Sequence, residues 1–182
     1  MATKKAEVFV FIDESSVNTG LTRLYGRSPI GERLCDYVPY CRFERMTILS
    51  SLRIDGTTET LVFDGALDGE MFEEYVRKCL APTLKEGDIV VMDNLSSHKR
   101  EGLNELVQEK GARVEYLPAY SPDLNPVENM WSKLKSQIRK VKGRSKEVLF
   151  EAVGVALKTI TTQDAQGWFE HCGYCSSFCK PL

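Results

Sequence analysis

Apolar residues fall in short dense runs early in the chain and at helical spacing later. Residues 7–13, Glu-Val-Phe-Val-Phe-Ile-Asp, are almost continuously apolar and β-prone, as a strand buried on both faces requires. Arg45 to Ile54 reads as a second strand. It ends at Asp55-Gly56, a hairpin signal, after which Thr57 to Phe63 resumes β character. From Asp68 to Leu80 the period changes. Met71, Phe72, Tyr75, Val76, Cys79 and Leu80 recur on one face of a predicted helix that Pro82 and Gly87 end. Asp88–Asp93 then reads as a strand, Lys99–Lys110 as a helix stopped by Gly111, and Arg113–Leu117 as a strand. Strand, helix, strand implies parallel pairing through a crossover. A proline-rich loop, Pro118–Asn125, leads into a helix from Pro126 to about Val141, followed by helices over Ser145–Ile160 and Thr162–His171.

These elements predict an α/β chain with a five-stranded mixed sheet, three antiparallel strands and then two parallel ones, flanked by helices. That is the layout of a ribonuclease H-like fold. A doubly wound nucleotide-binding fold fits less well, because no helices separate the first three strands and no glycine-rich loop follows a strand. With 182 residues, 42% hydrophobic and 27% charged, residues 1–182 read as one domain. Its core is expected over about 7–160, with 161–182 as a C-terminal helix and tail. No apolar stretch approaches the roughly 20 residues that span a bilayer, and no signal sequence opens the chain, so no membrane partner and a cytoplasmic location are expected. The six cysteines are then expected as reduced thiols.

A net charge of −2 does not advertise a nucleic-acid binder, and its distribution matters more than the total. Lys133, Lys135, Arg139, Lys140, Lys142, Arg144 and Lys146 follow one another with no acid among them. Such a segment is either a phosphate-binding surface or a solvated helix face. Arg23–Arg33, with Arg27 at its centre, is either a grip on a DNA end or an ordinary loop.

Three acids stand apart. Asp13 and Asp93 each follow an apolar run, where a buried strand leaves its sheet, and Glu128 follows Asn125-Pro126. Gathering carboxylates there is costly unless a cation neutralises them, so they suggest a divalent metal site. Each also has a plainer reading. Asp13 and Asp93 suit turns, and Glu128 falls where a capping-box glutamate belongs. Glu14 should point to the opposite sheet face from Asp13. Trp131, at helical spacing from Leu134 and Ile138, reads as core.

Phe11-Ile12-Asp13-Glu14-Ser15, Val91-Met92-Asp93-Asn94 with His98, and the string Leu117-Pro118-Ala119-Tyr120-Ser121-Pro122-Asp123-Leu124-Asn125-Pro126-Val127-Glu128-Asn129-Met130-Trp131 resemble the catalytic core of mariner-superfamily DDE transposases. The closest likeness is to their bacterial insertion-sequence branch. Thirty-four residues separate Asp93 from Glu128, a spacing that matches the family. The resemblance implies a ribonuclease H-like nuclease domain with Asp13, Asp93 and Glu128 as catalytic metal ligands. They would hold two Mg²⁺ ions, with Mn²⁺ as substitute, and Asp13 would bridge both. Hard cations prefer such oxygen donors, and a pair of ions serves both the attacking and the departing oxygen.

The implied activity is DNA cleavage at transposon ends and transfer of the 3′ hydroxyl into target DNA at TA sites. A non-catalytic or domesticated DNA- or partner-binding domain, or another ribonuclease H-like nuclease, are the alternatives. Implied partners are terminal inverted repeats, target DNA and a second copy of the chain in a homodimer, at the bacterial nucleoid. Asn94 and His98 are candidates for orienting ligands or phosphate, and Arg27, Lys133, Lys135 and Arg139 for touching DNA. The family places helix-turn-helix segments ahead of this domain, whereas the first strand here begins about six residues after Met1. An upstream helix-turn-helix polypeptide is therefore expected as a partner. In the tail, His171, Cys172, Cys175 and Cys179 offer zinc ligands, but their crowding would strain a tetrahedron, so zinc is the weaker reading.

Overall fold

A computed structural model describes residues 6–40, 43–94 and 101–174. Five strands form one sheet: β1 (Phe9–Asn18), β2 (Arg45–Leu52), β3 (Thr60–Asp64), β4 (Ile89–Met92) and β5 (Arg113–Tyr116), in the order β3-β2-β1-β4-β5. β1, β2 and β3 pair antiparallel, while β4 pairs parallel to both β1 and β5. This is the mixed sheet predicted from the hydrophobic pattern.

Strand alternation splits the core into two layers. Phe11, Val17, Ile48, Leu52, Ile89 and Val91 face α3 (Pro126–Val141), α4 (Lys146–Leu157) and α5 (Thr162–His171). Val10, Ile12, Leu49, Val90 and Met92 face α1 (Gly69–Tyr75) and α2 (Glu101–Gln108). In the first layer Phe11 meets Phe169 edge-on at 5.3 Å and Tyr174 at 4.9 Å, and the Tyr174 hydroxyl donates to the Leu124 carbonyl at 2.9 Å. Tyr174 thus braces the loop that enters α3, and burial pushes its hydroxyl up to about 12.

Several expectations are corrected. β1 does not end at Asp13 but continues to Asn18, because β2 pairs with it along its whole second half. The predicted helix over Asp68–Leu80 is α1 followed by a π-helical turn, Val76–Leu80, and Met71 lies exposed rather than on the buried face. The hairpin at Asp55-Gly56 is longer than a two-residue turn: β2 stops at Leu52 and β3 starts at Thr60. Gly56, at φ +86°, closes it, with its N–H donating to the Arg53 carbonyl. The start of the helix predicted at Lys99 lies outside the described residues, as do His98, Cys41, Cys175 and Cys179. Among the described residues no helix is long and apolar enough to cross a membrane.

Candidate active site

The parallel register explains how two acids 80 positions apart become neighbours. Phe11 is level with Val91, and each acid follows two residues later in its own chain segment, near enough for the Asp93 charge to act on Asp13. Asp13 lies on the strand face of Phe11, the face covered by α3. β4 ends at Met92 while β1 runs on, so Asp13 sits mid-strand towards β2, level with Ser50, and beside a strand terminus towards β4. Glu14 lies on the other face, level with Leu49, as expected.

Glu128 reaches this place from α3. Asn125 caps that helix, its side-chain carbonyl accepting from the Val127 N–H at 3.2 Å. A capping-box glutamate would reach back to the Asn125 N–H, but that N–H already donates to the Pro122 carbonyl at 3.0 Å in the preceding 3₁₀ turn. The competing role therefore falls away, and Glu128 extends exposed from the first turn into a cleft that Asp93 and Asn94 also line. Tyr120 lines the same cleft in the left-handed region at φ +57°, a conformation that costs a non-glycine residue about 1–3 kcal/mol and that its local sequence does not announce.

Asp13 is held at both oxygens. Oδ1 accepts from the Glu14 N–H at 2.8 Å and Oδ2 from the Trp131 indole N–H at 3.1 Å. Trp131 is core, as predicted, with 2% of its surface exposed, yet it is also a polar partner of the site, a role that its helical spacing does not signal. Burial pushes Asp13 up to about 7, and the charges of Glu128 and then Asp93 add to this, against the two hydrogen bonds. Among the described residues no three acid, histidine or cysteine side chains stand in one coordination sphere. Bringing the three carboxylates together requires rotation of a side chain, which the exposure of Glu128 permits. The donor set is all carboxylate oxygen, which suits a hard divalent cation.

Trp131→Phe keeps a ring in the core but removes the donor to Asp13 together with part of the indole volume. We expect it to cost about 1–3 kcal/mol in urea unfolding at pH 8, where Asp13 is ionised, and less at pH 5. Equal losses at both pH values would mean that only packing was lost.

Much of the basic run is engaged by partners within the chain. Lys133 donates to the Thr159 carbonyl at 2.8 Å and to Asp164 at 2.5 Å, and this pairing holds the Asp164 carboxyl down at about 2. Lys133, a candidate for touching DNA, thus ties α3 to the capping box of α5. Lys142 pairs with Asp36, Arg144 donates to the Thr19 and Leu21 carbonyls, and Lys146 pairs with Asp64. Lys135 and Arg139 line two further clefts along α3. Arg27 lies on the exposed excursion between β1 and β2 and lines none of these three clefts.

A family described as DDE superfamily endonuclease matches residues 8–149. The chain is 26% identical over 108 residues to the transposable element Tcb1 transposase of Caenorhabditis briggsae, covering 59% of this chain and 38% of that protein. Its fold matches the Mos1 transposase in a paired-end complex with left transposon end, with a TM-score of 0.69, 14% identity, and 92% and 52% of the two chains covered. The catalytic domain of Mos1 mariner transposase matches at 0.65 and 13% identity, with 92% and 78% covered. Mos1 paired-end complexes with Mg and with Mn share this fold. The chain spans 38% of Tcb1 and about half of the full Mos1 chain.

Proposed function

The chain belongs to the DDE superfamily of endonucleases, and from that premise we propose that it is the catalytic domain of a DNA transposase. What supports this reading is the parallel pairing of β1, which carries Asp13, with β4, which leads to Asp93, together with an α3 cap that leaves Glu128 out of its own capping box and in the cleft that Asp93 lines. These three are proposed as the catalytic residues and as ligands for two divalent ions, Mg²⁺ or Mn²⁺. When bound, such ions would polarise an attacking water and stabilise the departing 3′ oxygen.

The chain's own residues divide the remaining work. Asp13, fixed at both oxygens, offers a rigid anion at the sheet centre. Asp93 follows a strand terminus, and Asn94 beside it lines the same cleft, where its amide would orient a phosphate oxygen. Glu128, on an exposed first turn, closes the set from the helix side. Three carboxylates alone would repel the DNA backbone, so binding of the scissile phosphate depends on the cations.

The Leu117–Trp131 string supports the bacterial insertion-sequence branch, and with it TA target sites, a homodimer that pairs two transposon ends, and recognition of the inverted repeats by a helix-turn-helix segment. The test is nicking of a plasmid and joining of a pre-cleaved end to target DNA in Mn²⁺ and Mg²⁺. Acid-dependent joining supports a transposase. Nicking without joining would assign the domain to another nuclease class, and neither product, with a helix-turn-helix segment supplied, would make it a non-catalytic DNA-binding domain.

A proton count gives an independent check. Asp13 is raised from 3.8 to about 7, so between these values the folded protein holds a proton that the unfolded chain has released. The stability contributed is therefore complete below about pH 4 and lost as the pH rises through 7. We expect the melting temperature in EDTA to fall from pH 5 to pH 8 through this group, to fall less in Asp13→Asn, and to recover at pH 8 with millimolar Mn²⁺. A profile identical in the variant would remove Asp13 as its source.

A further inference from the structure

Along α3 the side chains that reach surface clefts succeed one another in a fixed order: Glu128 in the acid cleft, Lys135 in a second, Arg139 and Lys140 in a third. Residues 128, 135 and 139 share one helical stripe and span about 16 Å at 1.5 Å per residue. Across the second cleft stands Arg45, whose guanidinium donates to Ser16 Oγ at 2.8 Å, with Ser15 beside it and Glu14 as one acid on the wall. Across the third stand Arg23 and the exposed Tyr25, with no acid among the described residues of its lining. The neighbouring cations Lys133, Lys142, Arg144 and Lys146 are held by intramolecular partners. Lys140 contacts Gln137 at 2.9 Å.

We infer that this stripe is a phosphate track, in which Lys135 and Arg139, faced by Arg45 and Arg23, hold the backbone of a DNA duplex leading away from the acid site. This rests on the reading of the domain as a DNA-processing enzyme. The occupant is DNA because the track begins at the cleft proposed for the scissile phosphate and carries positive charge at intervals along one line. Sixteen ångströms cover about five base pairs at 3.4 Å each. The internal use of the other cations makes the surface selective in position rather than merely basic.

The test is fluorescence anisotropy of a labelled 30-base-pair duplex of arbitrary sequence, titrated with the full chain in EDTA at several NaCl concentrations. Each phosphate contact contributes about 0.9 to the slope of log affinity against log salt. Lys135→Gln/Arg139→Gln is expected to lower that slope by about 2 and to weaken binding roughly 10- to 100-fold at 0.1 M salt. Lys85→Gln/Lys110→Gln removes the same charge just before β4 and β5, at the opposite end of the strands from the acids, and should leave the slope unchanged. Arg139→Lys, which keeps the charge, should also preserve it. An unchanged melting temperature in the double variant excludes misfolding. The track is overturned by an unchanged slope in Lys135→Gln/Arg139→Gln, by an equal loss in the Lys85/Lys110 pair, or by no binding of the wild-type chain. Because EDTA removes cleavage from the measurement, failure here with acid-dependent cleavage intact sinks only the track. The expected slopes without acid-dependent cleavage sink only the catalytic reading.

Discussion

Asp93→Asn is expected to reduce metal-dependent strand cleavage about 1000-fold or more while leaving the fold intact. The substitution keeps the side chain's shape at the end of β4 and removes its charge, so it separates electrostatics from packing. Ligand charge at such a site supports several kcal/mol of transition-state stabilisation, and each 1.4 kcal/mol is tenfold in rate. Asp13→Asn and Glu128→Gln should match it, since the three acids act as one unit and their losses will not add. Asp123→Asn is the contrasting control. It sits five residues before Glu128 in the same motif but does not line the cleft, and should change the rate by less than about threefold. Cleavage that survives in Asp93→Asn, or falls equally in Asp123→Asn, would remove the assignment.

The largest effect on stability is expected far from the acids, at the opposite end of β4. Asp88, buried just before this strand, accepts from Arg53 at 2.6 Å and from the Lys85 N–H at 2.8 Å, and Arg53 also donates to the Thr83 carbonyl. Asp88→Ala leaves a guanidinium with 11% of its side chain exposed and no counter-charge, at a cost of about 3–5 kcal/mol. For a chain of this length that lowers the melting temperature by roughly 6–20 °C. Arg53→Met/Asp88→Leu should recover most of the loss, because the penalty belongs to the orphaned charge rather than to the missing attraction. A loss below about 1 kcal/mol in Asp88→Ala would show that water reaches Arg53. Since β4 also leads to Asp93, cleavage by Asp88→Ala should be measured well below its melting temperature.

Local chemistry makes many element boundaries legible in the sequence. Asn125-Pro126, Ser145 and Thr161 with Asp164 mark helix starts by side chains that bond to their own first turns, so α3, α4 and α5 begin within a residue of where the sequence places them. The apolar runs at Phe9–Ile12 and Ile89–Met92 announce strands buried on both faces for the same local reason. The π-helical turn after Tyr75 escapes this kind of reading, because the helical period on which it relies is itself altered there.

What the sequence determined by itself is therefore the order and type of the elements, the three acids and the family pattern that joins them. These depend on neighbours within a few positions, or on a motif written contiguously from Leu117 to Trp131. Only the tertiary structure decided which side chains do which work. Trp131 meets Asp13 across 118 positions, Lys142, Lys146 and Arg144 find Asp36, Asp64 and the Thr19 carbonyl, and Lys133 finds Asp164. The physical reason is that a hydrogen bond or ion pair needs its partners within a few ångströms, and sheet register and helix docking set such distances between residues far apart in the chain. Glu128 shows both levels at once. Its sequence position suits a capping box equally well, and the decision fell to the Asn125 N–H, which the preceding turn had already engaged.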